Sequence, residues 1–409
     1  MNEPSLDLAF VRARFPAVTA AGDWALFDNA GGSAPLGAVA DAVREHLERW
    51  PVQLGASYAL SREAAERVAA GRRAAARLVG AEPEEVILGA STTLNAQLLA
   101  RVLGEDLSPG DEVIVTNLDH EANVGPWREL ERRGAALREW RFHPETLQLE
   151  LDDLERLLTE RTRLVCFTHC SNLTGALQDA AAICARVREA GATSCVDGVA
   201  YAPHRRVDVK AIGADYYFTS LYKTFGPHLG LLYGRRELLL AARSPNHFFV
   251  PADRLPVKFE PGNVNYELTA SLAAIPAYFD ELARHHGEST ADPLAAAFER
   301  ITVHEEQLAE RLLEFLRSRP GVRIVGPESA DRHQRVPTVS FTIDGRRSSE
   351  LPPRLDERRL AVRYGHFYAY RPVRDLDLLE RDGVVRVSMV HYNTVQEVER
   401  LVGALEELV

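Results

Sequence analysis

The chain has 409 residues, 46% hydrophobic and 26% charged, an ordinary globular composition with length enough for two sizeable cores. Its 48 basic and 59 acidic residues give a net charge of −11, which argues against a nucleic-acid partner. No apolar run approaches the ~20 residues of a membrane span, the start lacks a signal-peptide centre, and four cysteines without a CxxC pair neither staple the chain nor hold a metal, so a cytoplasmic enzyme with no membrane partner is expected.

Between residues 85 and 235 short apolar runs alternate with amphipathic stretches. Strands are predicted at 85–90, 112–117, 137–142, 163–168, 193–196, 216–219 and 230–233, with helical patterns at 123–133, 151–158 and 180–190. Such alternation implies crossover units and a mostly parallel, buried sheet. From about 266 onwards the pattern changes to helices at 271–285 and 293–317, strands at 322–325, 338–342 and 384–388, and a short charged helix within 348–359. A capping box, Thr394 to Glu397, opens a last helix reaching Leu408. The expected organisation is an N-terminal segment, 1–25, packed on a small C-terminal domain, 266–409, with a large domain at 26–265.

Only three of the 48 basic residues are lysines, Lys210, Lys223 and Lys258. A chain that uses arginine almost wherever it needs a cation keeps lysine where arginine fails, and arginine can neither lose its proton near neutral pH nor form an imine. Lys210 and Lys258 read as solvent-exposed. Lys223 follows an apolar strand and precedes Gly226 and Pro227, a strand-end loop of the kind that carries chemistry in α/β enzymes.

Other strand ends carry polar groups. Ser91, Thr92 and Thr93 open a helix, where they form either a phosphate cradle or a simple N-cap. Asp197 ends a buried strand and can cap a helix, bind a metal or hold a protonated ring nitrogen. His120 and Asn172 follow two further strands. Cys166 and Cys170 read as small apolar residues on one strand face. Arg386, on an apolar strand, needs a carboxylate partner, either internal or from a substrate. No GxGxxG or GxxxxGK[ST] occurs, so neither nucleotide fingerprint is present.

Taken in order, from Leu26-Phe-Asp-Asn-Ala-Gly-Gly-Ser to Arg386-Val-Ser-Met-Val-His-Tyr-Asn-Thr, these segments resemble class V aminotransferases, pyridoxal-phosphate enzymes of fold type I, and within them the cysteine desulfurase-like branch. The resemblance implies an α/β fold, with a mostly parallel sheet in the large domain and a smaller α+β C-terminal domain. It implies Lys223 as the lysine joined to pyridoxal 5'-phosphate, Asp197 on the pyridine nitrogen, His120 stacked on the ring and Asn172 near its 3-oxygen. Ser91, Thr92, Thr93, Ser220 and Tyr222 would hold the phosphate, and Arg386 with Arg363 the substrate carboxylate. Asn263, in Pro261-Gly-Asn-Val-Asn265, would reach the neighbouring subunit's phosphate, so a homodimer acting on a small-molecule amino-acid substrate is expected.

The chain departs from that branch twice. After Arg363-Tyr-Gly-His366, where desulfurases carry a nucleophilic cysteine, stands Tyr368; three residues beyond Asp197, where they have Gln or His, stands Ala200. A persulfide relay is therefore not expected. β-Elimination needs no thiol, so carbon–sulfur cleavage of a cysteine derivative is the expected reaction, with Lys223 as base and Tyr368 or His366 protonating the leaving group or lining its pocket. An aminotransferase, an amino-acid epimerase and a decarboxylating or oxidative natural-product enzyme are the alternatives. An inactive dimeric scaffold would need none of Lys223, Asp197 and Arg386.

Overall fold

The computed structural model describes residues 5–409. A seven-stranded sheet dominates it, in the order Val86–Gly89, Gly230–Gly234, Tyr216–Ser220, Thr193–Asp197, Thr162–Thr168, Glu112–Thr116, Ala136–Trp140. Only Gly230–Gly234 runs antiparallel to its neighbours. All seven predicted strands are present, because their apolar runs serve two faces at once. Val113, Val115, Leu164 and Phe218 enter one apolar cluster, whereas Ile114, Val165, Phe167 and Tyr217 enter another. Parallel pairing also brings the C-terminal ends of successive strands to one edge, which gathers the polar residues that follow them.

A second sheet is antiparallel, in the order Arg363–Gly365, Val384–Ser388, Thr338–Ile343, Val322–Ile324. Helices Pro293–Arg317 and Val395–Leu408 pack with it around a core of Leu308, Leu312, Phe341, Val387 and Leu401. Asp292 caps the first helix through Ala295 N at 3.1 Å, and Thr394 with Glu397 form the predicted capping box on the second, both bonds at 3.0 Å. The N-terminal residues join the two regions: Arg12 pairs with Glu397 at 2.8 Å, and Phe15 packs edge-on against Phe225 and Tyr278. Among the described residues no helix is long and apolar enough to cross a membrane.

Several readings need correction. The helix expected at 123–133 is instead a single α-turn, Gly125–Arg128, flanked by 3-10 turns, with Pro126 in its first turn, where a missing N–H is tolerated. The stretch 271–285 belongs to two helices, Tyr266–Ser271 and Ala274–His285. Lys258 is fully buried, not exposed: its Nζ donates to the carbonyls of Leu239 at 2.8 Å and Leu240 at 3.0 Å, capping the helix Arg236–Ala241. Cys166 and Cys170 do not share a strand: it ends at Thr168, with Cys166 opposite Cys195, and Cys170 lies beyond its end in an isolated bridge to Leu177.

Candidate active site

The strand-end edge of the large sheet encloses a cavity. Ser91, Thr92, Thr93, His120, Asn172, Asp197, Ser220, Tyr222 and Lys223 line it together, as do Cys170 and Ala200. Nine of the sequence-selected residues thus converge, although they span more than 130 positions of chain.

One wall is the start of helix Thr92–Leu103, which follows its strand after two residues. Ser91 accepts from Leu94 N at 3.2 Å, and Thr92 Oγ1 lies 2.7 Å from Ser220 Oγ while donating to Thr219 O at 3.0 Å. The neighbouring strand passes so close that a Cβ on Gly230 would lie 2.4 Å from Thr92 N, so glycine is what permits this packing. The result is a helix N-terminus, with its free amides and positive dipole end, at the cavity.

Lys223 ends the 3-10 turn Leu221–Lys223 that follows Tyr216–Ser220. It is buried, and among the described residues its Nζ has no hydrogen-bond partner. Burial first, and the Arg386 charge second, bring its amine down to about 8, against the pull of Asp197 and Asp28. Asp197 is likewise buried and accepts one bond, from Val199 N to Oδ1 at 2.9 Å; burial holds its carboxyl above the usual range. The His120 ring accepts from Ala122 N at Nδ1, 3.0 Å, which places its proton on Nε2. Burial, then the charges of Lys223 and Arg386, push its pKa to about 3, so the ring is neutral at working pH. Beneath it Asp119, fully buried, ties Thr116, Asn123 Nδ2 at 2.7 Å and Thr168 N at 3.1 Å together and so fixes the loop that carries His120.

Arg386 is also buried, with the Phe367 ring stacked 3.7 Å from its guanidinium carbon. Nη1 donates to Asn172 O and Nη2 to Asp28 Oδ1, each at 3.1 Å, while Nε has no partner. Asn172 in turn donates from Nδ2 to Phe367 O at 2.9 Å, and Glu121 N donates to Tyr368 O at 2.8 Å, so the loop from Gly365 to Ala369 is tied down over the site.

The remaining candidates lie outside the cavity lining. Tyr368 is 68% exposed, with its ring 5.3 Å from that of His120, and it lines a wider cleft of about 850 Å³ shared with Thr93, His120 and Tyr222. His366 is exposed and accepts from Tyr368 N at 3.1 Å, which makes it a brace of the loop and not a wall of the site. Arg363 is exposed and pairs with Asp28 at 3.2 Å. Asn263 sits on an exposed turn, clear of its own chain's cavity. Sequence reading missed Asp28, Phe367 and the place of Cys170. The unexplained need of Arg386 for a carboxylate was the one signal pointing to Asp28.

The donor set can be tested against pyridoxal phosphate. The site offers an amine without a partner, a buried carboxylate with one hydrogen bond, a flat neutral ring and a helix N-terminus, all on one cavity. An aldehyde, a protonated ring nitrogen, an aromatic face and a phosphate are their respective complements, so the residues fit the group.

Comparison with known proteins agrees. Residues 25–401 match the model of the family "Aminotransferase class-V". An aminotransferase-like protein of Gibberella zeae is 41% identical, with 99% of each chain covered. A cysteine desulfurase-like protein of Aspergillus flavus is 34% identical over 100% of this chain and 92% of its own. Among solved structures, the cysteine desulfurase from Thermococcus onnurineus superposes with a TM-score of 0.86 at 27% identity, covering 100% of this chain and 99% of that one. The chain belongs to the class V aminotransferase family and is a pyridoxal-phosphate-dependent enzyme of fold type I.

Proposed function

We propose that this enzyme cleaves the bond between the β-carbon and the leaving group of an α-amino acid, and that a carbon–sulfur bond of an S-substituted cysteine is its target. One observation carries the reading: no reactive thiol faces the site. Of the four cysteines only Cys170 lines the cavity, and burial pushes its thiol up to about 12. Over the cleft, where the desulfurase relay needs a cysteine, stands Tyr368. The leaving group must therefore depart without thiolate attack.

Bound pyridoxal phosphate supplies an electron sink that makes the substrate's α-proton removable. Lys223 Nζ, which burial lowers to about 8 and so eases toward losing its own proton, would then take the α-proton. Asp197 would hold the ring-nitrogen proton, His120 would offer a neutral face to the ring, and the Thr92 helix end with Ser91, Thr93, Ser220 and Tyr222 would hold the phosphate. Asn172 would bind the 3-oxygen. Arg386, through its unpartnered Nε, binds the α-carboxylate once Phe367 gives way. Tyr368 is better placed than His366 to protonate a departing thiolate, because it alone of the two lines the cleft.

The products of elimination are a thiol, pyruvate and ammonia, with one water consumed. Incubation of the holoenzyme with S-methyl- and S-ethyl-L-cysteine should release thiol and pyruvate in equal amounts; neither product from either compound would refute the proposal. Amino transfer, which the name of the Gibberella zeae relative favours, would instead give a sulfur-bearing 2-oxo acid and no thiol. We also propose a homodimer in which Asn263 of each copy approaches the other's phosphate site. Its exposed position and the bare Phe248, 99% exposed, support this, and light scattering at a single-chain mass would overturn it.

A further inference from the structure

Beside the cavity lies a carboxylate for which the proposed reaction has no role. Asp28 follows the short strand Ala25–Leu26 and sends its two oxygens to different arginines, Oδ1 to Arg386 Nη2 at 3.1 Å and Oδ2 to Arg363 Nη1 at 3.2 Å. Its backbone is fixed on both sides. Ser388 N donates to Phe27 O at 2.7 Å, and Asn29 Nδ2 donates to Leu26 O at 2.8 Å. A Cβ on Gly31 would stand 3.2 Å from both Asp28 oxygens, so the glycine leaves the carboxylate its room.

We infer that Asp28 is a positioning residue that locks Arg386 and Arg363 into one pair, so that Arg386 meets the carboxylate of an α-amino acid in a fixed orientation. The inference rests on Arg386 binding that carboxylate, as proposed above. The Arg386 side chain is 2% exposed, and its guanidinium is held at two corners by Asn172 O and Asp28 and on one face by Phe367. The third corner, Nε, is buried without an acceptor. A carboxylate binding side-on takes Nε and the second hydrogen of Nη2, the bidentate geometry that arginine offers and lysine does not.

Charge points the same way. Two guanidiniums and one carboxylate leave a single net positive charge, which one substrate carboxylate neutralises. Without Asp28, two guanidiniums stand side by side, and the buried one keeps only neutral partners. Asparagine at 28 preserves size but offers one acceptor oxygen. Its amide nitrogen would face a guanidinium donor to donor, and one arginine would be released.

The test uses the holoenzyme and equilibrium binding, read from the absorbance of its bound cofactor. L-Alanine, an amino acid with no β leaving group, is compared with ethylamine, which has the same amine and lacks the carboxylate. Asp28→Asn should raise the apparent Kd of L-alanine by about tenfold or more and that of ethylamine by less than about twofold. Asp28→Glu, with both oxygens kept, should recover part of the loss. Unchanged or tighter L-alanine binding in Asp28→Asn overturns the inference, and so does an equal weakening of both amines, which marks a merely structural role. If the parent enzyme shows no preference for L-alanine, the underlying reading of Arg386 fails instead; the elimination assay is independent of either result.

Discussion

The buried lysine makes a prediction about stability that separates chemistry from packing. Lys223 falls from the ordinary 10.5 to about 8 because burial disfavours its charge. At about 1.4 kcal/mol per pH unit, that drop corresponds to about 3 kcal/mol of strain in the apoprotein at neutral pH. The sign follows from proton counting. Between pH 8 and 10.5 the unfolded chain binds this proton and the folded chain does not, so stability rises with pH through that window and the cost is fully present below it. Lys223→Met keeps the length of the side chain and removes the charge. The apo variant should therefore be more stable than apo parent at pH 7, by up to about 3 kcal/mol, and the advantage should vanish above pH 10.5. Asp197 does not change this figure, since its attraction is already among the causes that set the net shift of Lys223. Urea midpoints of both apoproteins, followed by circular dichroism across this pH range, read the effect. Buried cysteines and tyrosines also titrate across this range, so the readout is the difference between the two apoproteins at each pH, in which that shared background cancels. A variant no more stable than the parent at pH 7 would refute the account of Lys223 as an amine kept reactive at the expense of the fold.

Two further substitutions test the frame around the site. Gly230→Ala puts a methyl group 2.4 Å from Thr92 N; the overpacking should cost about 1–3 kcal/mol and weaken pyridoxal-phosphate affinity in equilibrium dialysis, whereas unchanged affinity would show that the helix end does not hold the phosphate. Lys258→Ala leaves the carbonyls of Leu239 and Leu240 without their donor, so the urea midpoint should fall by the equivalent of about 1–3 kcal/mol with cofactor affinity intact; a surface-like change within about 0.5 kcal/mol would contradict the burial seen here.

What the sequence disclosed was what local chemistry dictates. Strands buried on both faces announce themselves as apolar runs, capping boxes mark helix starts, and Lys223 stood out because arginine had replaced nearly every other cation. Lys258 misled because its context rich in proline looks like an exposed loop, while its reason for burial lies in carbonyls 18 and 19 residues earlier. The pairing of Arg386 with Asp28 spans 358 residues and leaves no local trace. Strand Arg363–Gly365 has two exposed positions of three, too little alternation to read. The loop beyond it turns through Phe367 and Tyr368 at φ 51° and 60°, a left-handed bend that no glycine advertises.

The stack of Tyr201 on His169 explains why Ala200 alters the site without a substitute. Thr168 and Cys170 line the cavity; His169 between them turns to the opposite side, where it stacks on Tyr201 at 3.6 Å and lies 3.0 Å from Tyr217 Oη. At the second strand end the chain turns, with Val199 and Ala200 on the cavity and Tyr201 committed to the stack. Tyr201 therefore cannot swing in to restore the polar contact that Gln or His gives in the desulfurases, and burial keeps His169 itself neutral, at about 3. The wall beside Asp197 is left small and apolar, while Lys223 and Asp197 keep the places that the proposed proton removal would use. On the proposed reaction, the two departures, Ala200 in the cavity and Tyr368 on the loop above it, would change the room and the proton donor offered to a leaving group and leave Lys223 in place to break the α-carbon–hydrogen bond.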